Sequence, residues 1–225
     1  VKAALYPQYN AYEWTVYFEN VGAANSAVLK KVNAADMIIS GANPVFKSIS
    51  GDKEDAYAPV EIDLLEQANV QRSSTSGWAS HDAFPYFNVE NDNGGYLIAL
   101  GWSGRWRAEF SYQAGHTHVN CGQYALDTYL KPGETVRTPL MAFVKYDIRD
   151  ENVATNAWRN WFIDCNMPHN NDGSLLSPLC TTEAHNENNE MDTLASEQAG
   201  IDNISPLIER GIYPDYIWMD AGTYI

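Results

Sequence analysis

The feature that most constrains this chain is a change in hydrophobic period near residue 150. Before that point, short apolar stretches alternate with turn residues. In one of them, Tyr12–Gly22, the alternation places Trp14, Val16 and Phe18 on one face of a strand. Many short strands at this spacing, without a long helical pattern, predict an antiparallel β-sandwich over residues 1–150.

After residue 150 the period becomes helical. In Arg149–Pro168 the apolar side chains, including Trp158 and Trp161, recur at helical spacing, and Pro168 follows the predicted end of the helix. A buried strand, Tyr216–Asp220, then ends at a carboxylate. A helix, a loop and such a strand are typical of the opening of a parallel α/β unit, in which chemistry lies at the strand ends.

A complete (β/α)8 barrel needs about 250 residues. Residues 151–225 are therefore predicted to hold a linker helix and the truncated start of an incomplete TIM barrel. No neighbouring barrel strand for Tyr216–Asp220 is expected in this chain. We expect that strand to pair with the sandwich or another copy, or to be poorly ordered. The stretch from Thr181 to Glu190 is expected to form an acidic, solvated helix.

The charge balance excludes some classes of partner. The chain has 225 residues, of which 14 are basic and 29 acidic, giving a formal net charge of −15. Such a field repels nucleic-acid backbones and anionic lipid surfaces, and no apolar run is long enough to span a membrane. The charge suits a neutral ligand. The sequence leaves the compartment open, so both a cytoplasmic and an exported protein remain compatible with it.

No metal or cofactor is predicted. His116 and His118 lie near Cys121 with His-x-His spacing, but structural zinc usually has four protein ligands. Two loops rich in oxygen side chains, Asn91–Gly95 and His169–Ser174, lack the full calcium-loop pattern and are interpreted as turns. Three cysteines leave at least one thiol unpaired, and three reduced thiols are favoured over a Cys165–Cys180 bridge.

Several stretches, taken in order, resemble the melibiase-like α-galactosidases, a family of retaining glycoside hydrolases. These are FPYFNVENDNGGYLIALGWSGRW, LKPGETVRTPLMAF, the tryptophan-rich helix and DYIWMDAG, with GWSGRW (Gly101–Trp106) the most specific. The resemblance implies a large β-sandwich followed by a (β/α)8 catalytic barrel. It implies that this chain is the N-terminal fragment of a larger enzyme, with both catalytic aspartates beyond Ile225 and none in the chain itself.

In the family, the first barrel strand ends in an Asp-Asp-Gly-Trp run that binds the hydroxyls of the terminal sugar. Asp220 matches the first aspartate and Gly222 the glycine, so the resemblance implies a substrate contact for Asp220. Ala221 and Thr223 occupy the other two positions. The missing carboxylate removes a charge-assisted hydrogen bond, which leaves open an α-linked sugar other than galactose.

Trp78 is a second candidate for sugar binding. It lies in the polar stretch Ser73–Asp82, where it has few apolar neighbours in sequence. An exposed ring of this kind can pack on the C–H face of a sugar. It would do so either in the active site of the larger enzyme or at a contact between subunits of a homo-oligomer. Two alternatives to the enzyme fragment remain: a non-catalytic carbohydrate-binding module and a β-domain that assembles oligomers.

Overall fold

The computed structural model describes residues 1–53, 56–183 and 197–218. The chain divides into two compact units, Val1–Asn166 and Met167–Ile225. They are called the first unit and the second unit below.

Among its described residues, the first unit has fifteen strands, one single-turn 3₁₀ helix (Pro7–Tyr9) and one α-helix. The strands are β1 (Lys2–Tyr6), β2 (Ala11–Thr15), β3 (Tyr17–Glu19), β4 (Leu29–Lys30), β5 (Asn33–Ser40), β6 (Val45–Ser50), β7 (Pro59–Asp63), β8 (Asn69–Ser74), β9 (Ala83–Asn91), β10 (Gly94–Gly101), β11 (Trp106–Gln113), β12 (His116–Gln123), β13 (Asp127–Thr128), β14 (Thr135–Arg137) and β15 (Leu140–Tyr146). The helix is α1 (Glu151–Cys165).

Two antiparallel sheets form the body of the first unit, which confirms the predicted β-sandwich. The larger sheet has seven strands in the order β1-β2-β15-β10-β9-β6-β7, and the smaller has four in the order β5-β12-β11-β8. Hairpins connect β9 to β10 and β11 to β12, as expected for antiparallel neighbours. Two short pairs, β13 with β4 and β14 with β3, lie outside these sheets.

An aromatic core joins the two sheets. Phe110 of β11 lies 4.6 Å from Phe46 of β6 and 5.0 Å from Phe87 of β9, measured between ring centroids. Trp106 is fully buried in the same cluster, and its indole N–H donates to the Ala79 carbonyl at 2.6 Å. Because these rings come from both sheets, their burial holds the sandwich closed.

The single strand predicted over Tyr12–Gly22 is wrong, because the structure divides it at Val16. β2 belongs to the seven-stranded sheet, whereas β3 pairs with β14 outside that sheet. The Val16 N–H donates to the hydroxyl oxygen of Thr138 at 3.1 Å instead of continuing the ladder. The Thr138 hydroxyl thus accepts a hydrogen bond that would otherwise go to a neighbouring strand, and the chain leaves the sheet at Val16.

Helix α1 covers the outer face of the seven-stranded sheet. Asp150 caps its N-terminus by accepting hydrogen bonds from the N–H groups of Asn152 (2.8 Å) and Val153 (3.1 Å). Trp161 is buried in a cluster with Ala99 of β10 and with Ala142 of β15. The middle of the large sheet is therefore apolar on both faces.

The second unit contains a strand pair connected through a helix. Strand β16 (Thr181–Glu183) and strand β17 (Tyr216–Trp218) are parallel, and helix α2 (Glu197–Glu209) lies between them in sequence. Two hydrogen bonds between Asp215 and Cys180 precede the pair: the Asp215 N–H donates to the Cys180 carbonyl (2.8 Å), and the Cys180 N–H donates to the Asp215 carboxylate (2.7 Å).

This pairing corrects two expectations. The strand starting at Tyr216 does have a partner in this chain, since β16 lies beside it. Thr181–Glu183 is a strand rather than the start of an acidic helix; the rest of that predicted helix lies outside the described residues. Both errors have one cause: three-residue strands carry too little periodicity to reveal a parallel partner far along the chain.

Among the described residues, neither helix combines the length and the apolar character that a membrane crossing requires.

Replacing Phe110 by alanine tests the aromatic core. The change removes a buried ring and leaves a cavity between the sheets, so we expect Phe110→Ala to lower the free energy of unfolding by about 3–5 kcal/mol. Urea denaturation followed by circular dichroism measures it. Tyr129→Ala, which removes a half-exposed ring, is the control and should cost about 0.5 kcal/mol or less. Equal losses for the two variants would contradict this account of the core.

Candidate functional site

Trp78 lies in the loop between β8 and β9, and 66% of its surface is exposed. The backbone around it is held on both sides. The Trp78 carbonyl accepts from the hydroxyl of Ser74 (2.5 Å), and its N–H donates to the hydroxyl oxygen of Ser76 (3.1 Å). The loop therefore presents a large apolar ring from a fixed backbone position, which is the arrangement expected of a binding contact.

The ring of Trp78 meets its neighbour edge to face. The ring of His81 lies 5.4 Å from it at an interplanar angle of 82°. Nδ1 of His81 lies 2.9 Å from the Asp52 carboxylate, so a proton on that nitrogen donates to Asp52. Asp52 thus fixes His81, and His81 supports Trp78 while leaving most of the tryptophan ring open to solvent.

Asp82 holds the two ends of the same loop together. Its Oδ2 accepts from the N–H of Thr75 at 2.7 Å and from the Thr75 hydroxyl at 3.0 Å. The backbone hydrogen bond from Thr75 lowers the pKa of the Asp82 carboxyl; the Thr75 hydroxyl and the nearby His81 and Lys53 act in the same direction, and desolvation opposes them. The ionised form of Asp82 is therefore the one that holds the loop.

The second candidate region is the strand edge of the second unit. In a parallel pair the carboxyl ends lie at one edge, and here Glu183 of β16 is paired with Trp218 of β17. The Trp218 side chain is exposed. Asp220, Ala221, Gly222 and Thr223 follow β17 and lie outside the described residues, so the contact expected of Asp220 stays a prediction.

His116, His118 and Cys121 are not brought together. All three lie on β12, where side chains alternate between faces. The two histidines are exposed on one face, and Cys121 is buried on the other, inside the sandwich. Burial also raises the pKa of the Cys121 thiol to about 12, which keeps it protonated. These three residues therefore cannot share one metal ion. All three cysteines of the chain are free thiols.

A buried carboxylate that the sequence did not single out lies on β9. Glu90 accepts from Nε of Arg149 at 3.0 Å, and the amino group of Lys47 lies 3.3 Å from it. The hydroxyl of Tyr146 also donates to Glu90, at 3.4 Å. Its charge is thus fully matched, and the cluster anchors the segment just before α1 to the sheet. The alternation of β9 could have assigned Glu90 to a face, but not to these partners.

The lowered pKa of Asp82 leads to a pH prediction. A carboxyl group with a depressed pKa in the folded state contributes stability above its unfolded pKa of about 3.9, and this is lost as the pH falls through the folded pKa. We expect the protection of the Thr75 amide against exchange, relative to the intrinsic rate at the same pH, to fall below about pH 4. Hydrogen exchange followed by ¹⁵N NMR measures this protection. Asp82→Asn should remove the pH dependence of the protection at Thr75, whereas an unchanged pH profile in that variant would contradict the assignment.

Comparison with known proteins gives no match in sequence: no protein-family model and no curated protein matches this chain significantly. Solved structures do match. A variant of the GH36 α-galactosidase AgaA from Geobacillus stearothermophilus, in complex with stachyose, has a TM-score of 0.72 and 18% identity, and the match covers 98% of this chain and 30% of that one.

Two other solved structures match similarly. The α-galactosidase from Lactobacillus brevis has a TM-score of 0.71 and 15% identity, over 93% of this chain and 28% of that one. The galactosidase domain of an α-galactosidase–sucrose kinase has a TM-score of 0.69 and 17% identity, over 95% and 30%. This chain thus spans less than a third of their length. Its fold is that of one part of the GH36 α-galactosidases, the melibiase-like family that its sequence resembles.

Proposed function

We propose that this chain is part of a glycoside hydrolase that acts on α-linked, galactoside-like sugars with retention of configuration. The observation that carries the proposal is the fold match, which covers almost the whole chain and extends from the sandwich into the second unit. The order of elements adds support, since a sandwich is followed by a helix and then by a parallel strand pair. At 18% identity the fold does not reveal the substrate, which therefore remains part of the proposal.

The second unit is the proposed start of the catalytic barrel. A strand, a helix and a parallel strand form the repeat of (β/α)8 barrels, and β16, α2 and β17 have that order and direction. We assign β16 and β17 to two consecutive barrel strands, so β17 becomes the second barrel strand rather than the first that the resemblance implied. We assign α1 to the linker helix. Active sites of such barrels lie at the carboxyl ends of the strands, so the edge after Glu183 and Trp218 is the proposed catalytic side.

The proposed reaction uses two carboxyl groups about 5–5.5 Å apart. One attacks the anomeric carbon and forms a glycosyl-enzyme intermediate; the other protonates the leaving oxygen and then deprotonates the incoming water. The sequence resemblance assigns both groups to later barrel strands outside these 225 residues. Asp220 is proposed to accept hydrogen bonds from the hydroxyls of the terminal sugar, and Trp78 to pack on the face of a sugar ring.

The substrate class also fits the charge and the residues near Asp220. A chain with a net charge of −15 favours neutral over anionic ligands, and a galactoside is neutral. Ala221 and Thr223 replace a carboxylate and a tryptophan of the family pattern, so we include other α-linked sugars in the proposal. A homo-oligomer is proposed only as the setting in which Trp78 would reach the sugar of a neighbouring subunit.

The test of the proposed function begins with the gene and continues with the protein that it encodes. The coding DNA is sequenced beyond codon 225, and the longer protein is assayed with p-nitrophenyl α-galactoside, with the anomer released first identified by NMR. We expect hydrolysis that yields the α-anomer first, and no turnover by the 225-residue chain alone. A stop codon after Ile225, or a longer protein without activity on α-glycosides, would favour the non-catalytic binding module instead.

Asp220→Asn in the longer protein tests the proposed substrate contact. Neutralising a carboxylate that binds a sugar hydroxyl removes about 1.5–3 kcal/mol, so we expect kcat/KM to fall by about 10- to 150-fold. Steady-state kinetics with the same substrate measures the change. Glu209→Gln neutralises an exposed carboxylate at the end of α2 and is the control. If both variants keep wild-type kcat/KM, Asp220 does not bind the substrate.

Trp78→Ala tests the second proposed contact. If the ring packs on a sugar in the ground state and the transition state alike, its loss raises KM by about 10-fold and leaves kcat nearly unchanged. Trp78→Phe retains a flat ring at the same backbone position and should restore most of the affinity. A fall in kcat at constant KM in the alanine variant would argue against a simple stacking role.

A further inference from the structure

A groove lies between helix α1 and the outer face of the seven-stranded sheet. Its volume is about 460 Å³, within the range of small-ligand sites, about 300–1,000 Å³. Its walls include Lys47, Ile49, Tyr86, Asn88, Leu97 and Trp158. All of these residues belong to the first unit, so one compact body forms the entire groove.

Two aromatic rings line this groove, and they belong to a longer aromatic ladder. The ladder consists of Tyr57, Phe84, Tyr86, Trp158 and Phe162, and each ring is in contact with the next at centroid distances of 6.0, 5.1, 5.3 and 6.0 Å in turn. Of these rings, Tyr86 and Trp158 line the groove. Tyr86 is 36% exposed, so its ring is not sealed into the core. The two rings therefore offer apolar surface to a ligand.

Polar groups of the groove lie beside these rings. Asn88 has Lys47 and Leu97 as its cross-strand neighbours. Its side-chain oxygen accepts from the hydroxyl of Tyr146 at 2.8 Å, while its amino group has no hydrogen-bond partner among the residues described by the structure. An amide N–H pair next to aromatic rings is a donor available to a ligand hydroxyl.

The charges of the groove are largely compensated. The amino group of Lys47 lies 3.3 Å from Glu90 and 3.9 Å from Glu61, and Glu90 also receives Arg149. Glu151 adds an exposed negative charge. An anion would meet these carboxylates and the overall charge of −15. A purely apolar ligand would leave the amide of Asn88 without a hydrogen-bond partner. The chemistry that matches is a neutral ring bearing hydroxyl groups.

We propose that this groove binds a neutral oligosaccharide without cleaving it. The rings of Tyr86 and Trp158 pack on the C–H faces of the sugar. Asn88 donates to a sugar hydroxyl, and the exposed carboxylate of Glu61 accepts from another. Glu90 is already engaged by Arg149 and Lys47, so it is not assigned a contact with the sugar. The choice of a sugar among neutral ligands rests on the function proposed above, whereas the groove and its ladder do not.

The experiment is a calorimetric titration of the 225-residue chain with raffinose, a neutral trisaccharide. Thr155 is exposed on α1 and lines the groove, so Thr155→Trp fills it without removing an existing contact. Tyr86→Ala removes one rung of the ladder. We expect each change to weaken binding by about 10-fold or more. Asn156→Trp, one residue further on α1 and outside the groove, is the matched control and should bind as the wild type does.

Three outcomes would overturn the proposal. The first is an absence of raffinose binding by the folded wild-type chain. In the second, raffinose binds but Trp78→Ala abolishes binding and Thr155→Trp does not, which places the sugar at the loop. In the third, Thr155→Trp disrupts self-association rather than sugar binding, which makes the groove a contact between copies. The titration measures binding by the 225-residue chain and does not depend on hydrolysis by the longer protein. The binding proposal can therefore be overturned while the enzymatic proposal holds, and the reverse is also true.

Discussion

The fold depends on the burial of β10 and β15 on both of their faces. One face meets the smaller sheet through Ile98, Met141 and Phe143, and the other meets α1 through Ala99 and Ala142. A strand pair with apolar neighbours on both of its faces buries apolar surface on each face. It thereby fixes the smaller sheet and α1 relative to each other. The sandwich, the helix over it and the groove beside that helix all follow from this pair.

The groove depends on a second interaction, the charge cluster around Glu90. Arg149 precedes α1 directly, and its contact with Glu90 ties the start of the helix to β9. A buried carboxylate with two cations and a tyrosine hydroxyl is costly to break, because any single loss leaves a charge without its partner. The first half of helix α1 is thus held at its start by this cluster and further along by the contact of Trp158 with Tyr86.

The sandwich and helix α1 were predictable from the sequence. The single strand over Tyr12–Gly22, the helix starting at Thr181 and the absence of a partner for β17 were wrong predictions. Alternating stretches predicted the sandwich, and the spacing of Trp158 and Trp161 predicted α1. The interruption at Val16 was missed because its cause, the Thr138 hydroxyl, lies more than one hundred residues away. The partner of β17 was missed because β16 has only three residues. Trp78 was identified from its polar surroundings, whereas the aromatic ladder was not, since its rings come from separate segments.

The sequence by itself determined what each segment can bury. The two-residue period and the turn residues fixed the strands, the helical period with Asp150 at its start fixed α1, and the charge selected neutral partners, because all of these depend on local spacing or composition. Only the tertiary structure decided which strands are neighbours, which carboxylate is matched by which cation, and which rings line one groove. Those relations join residues far apart in the chain, and they are set by how the layers pack rather than by any local pattern.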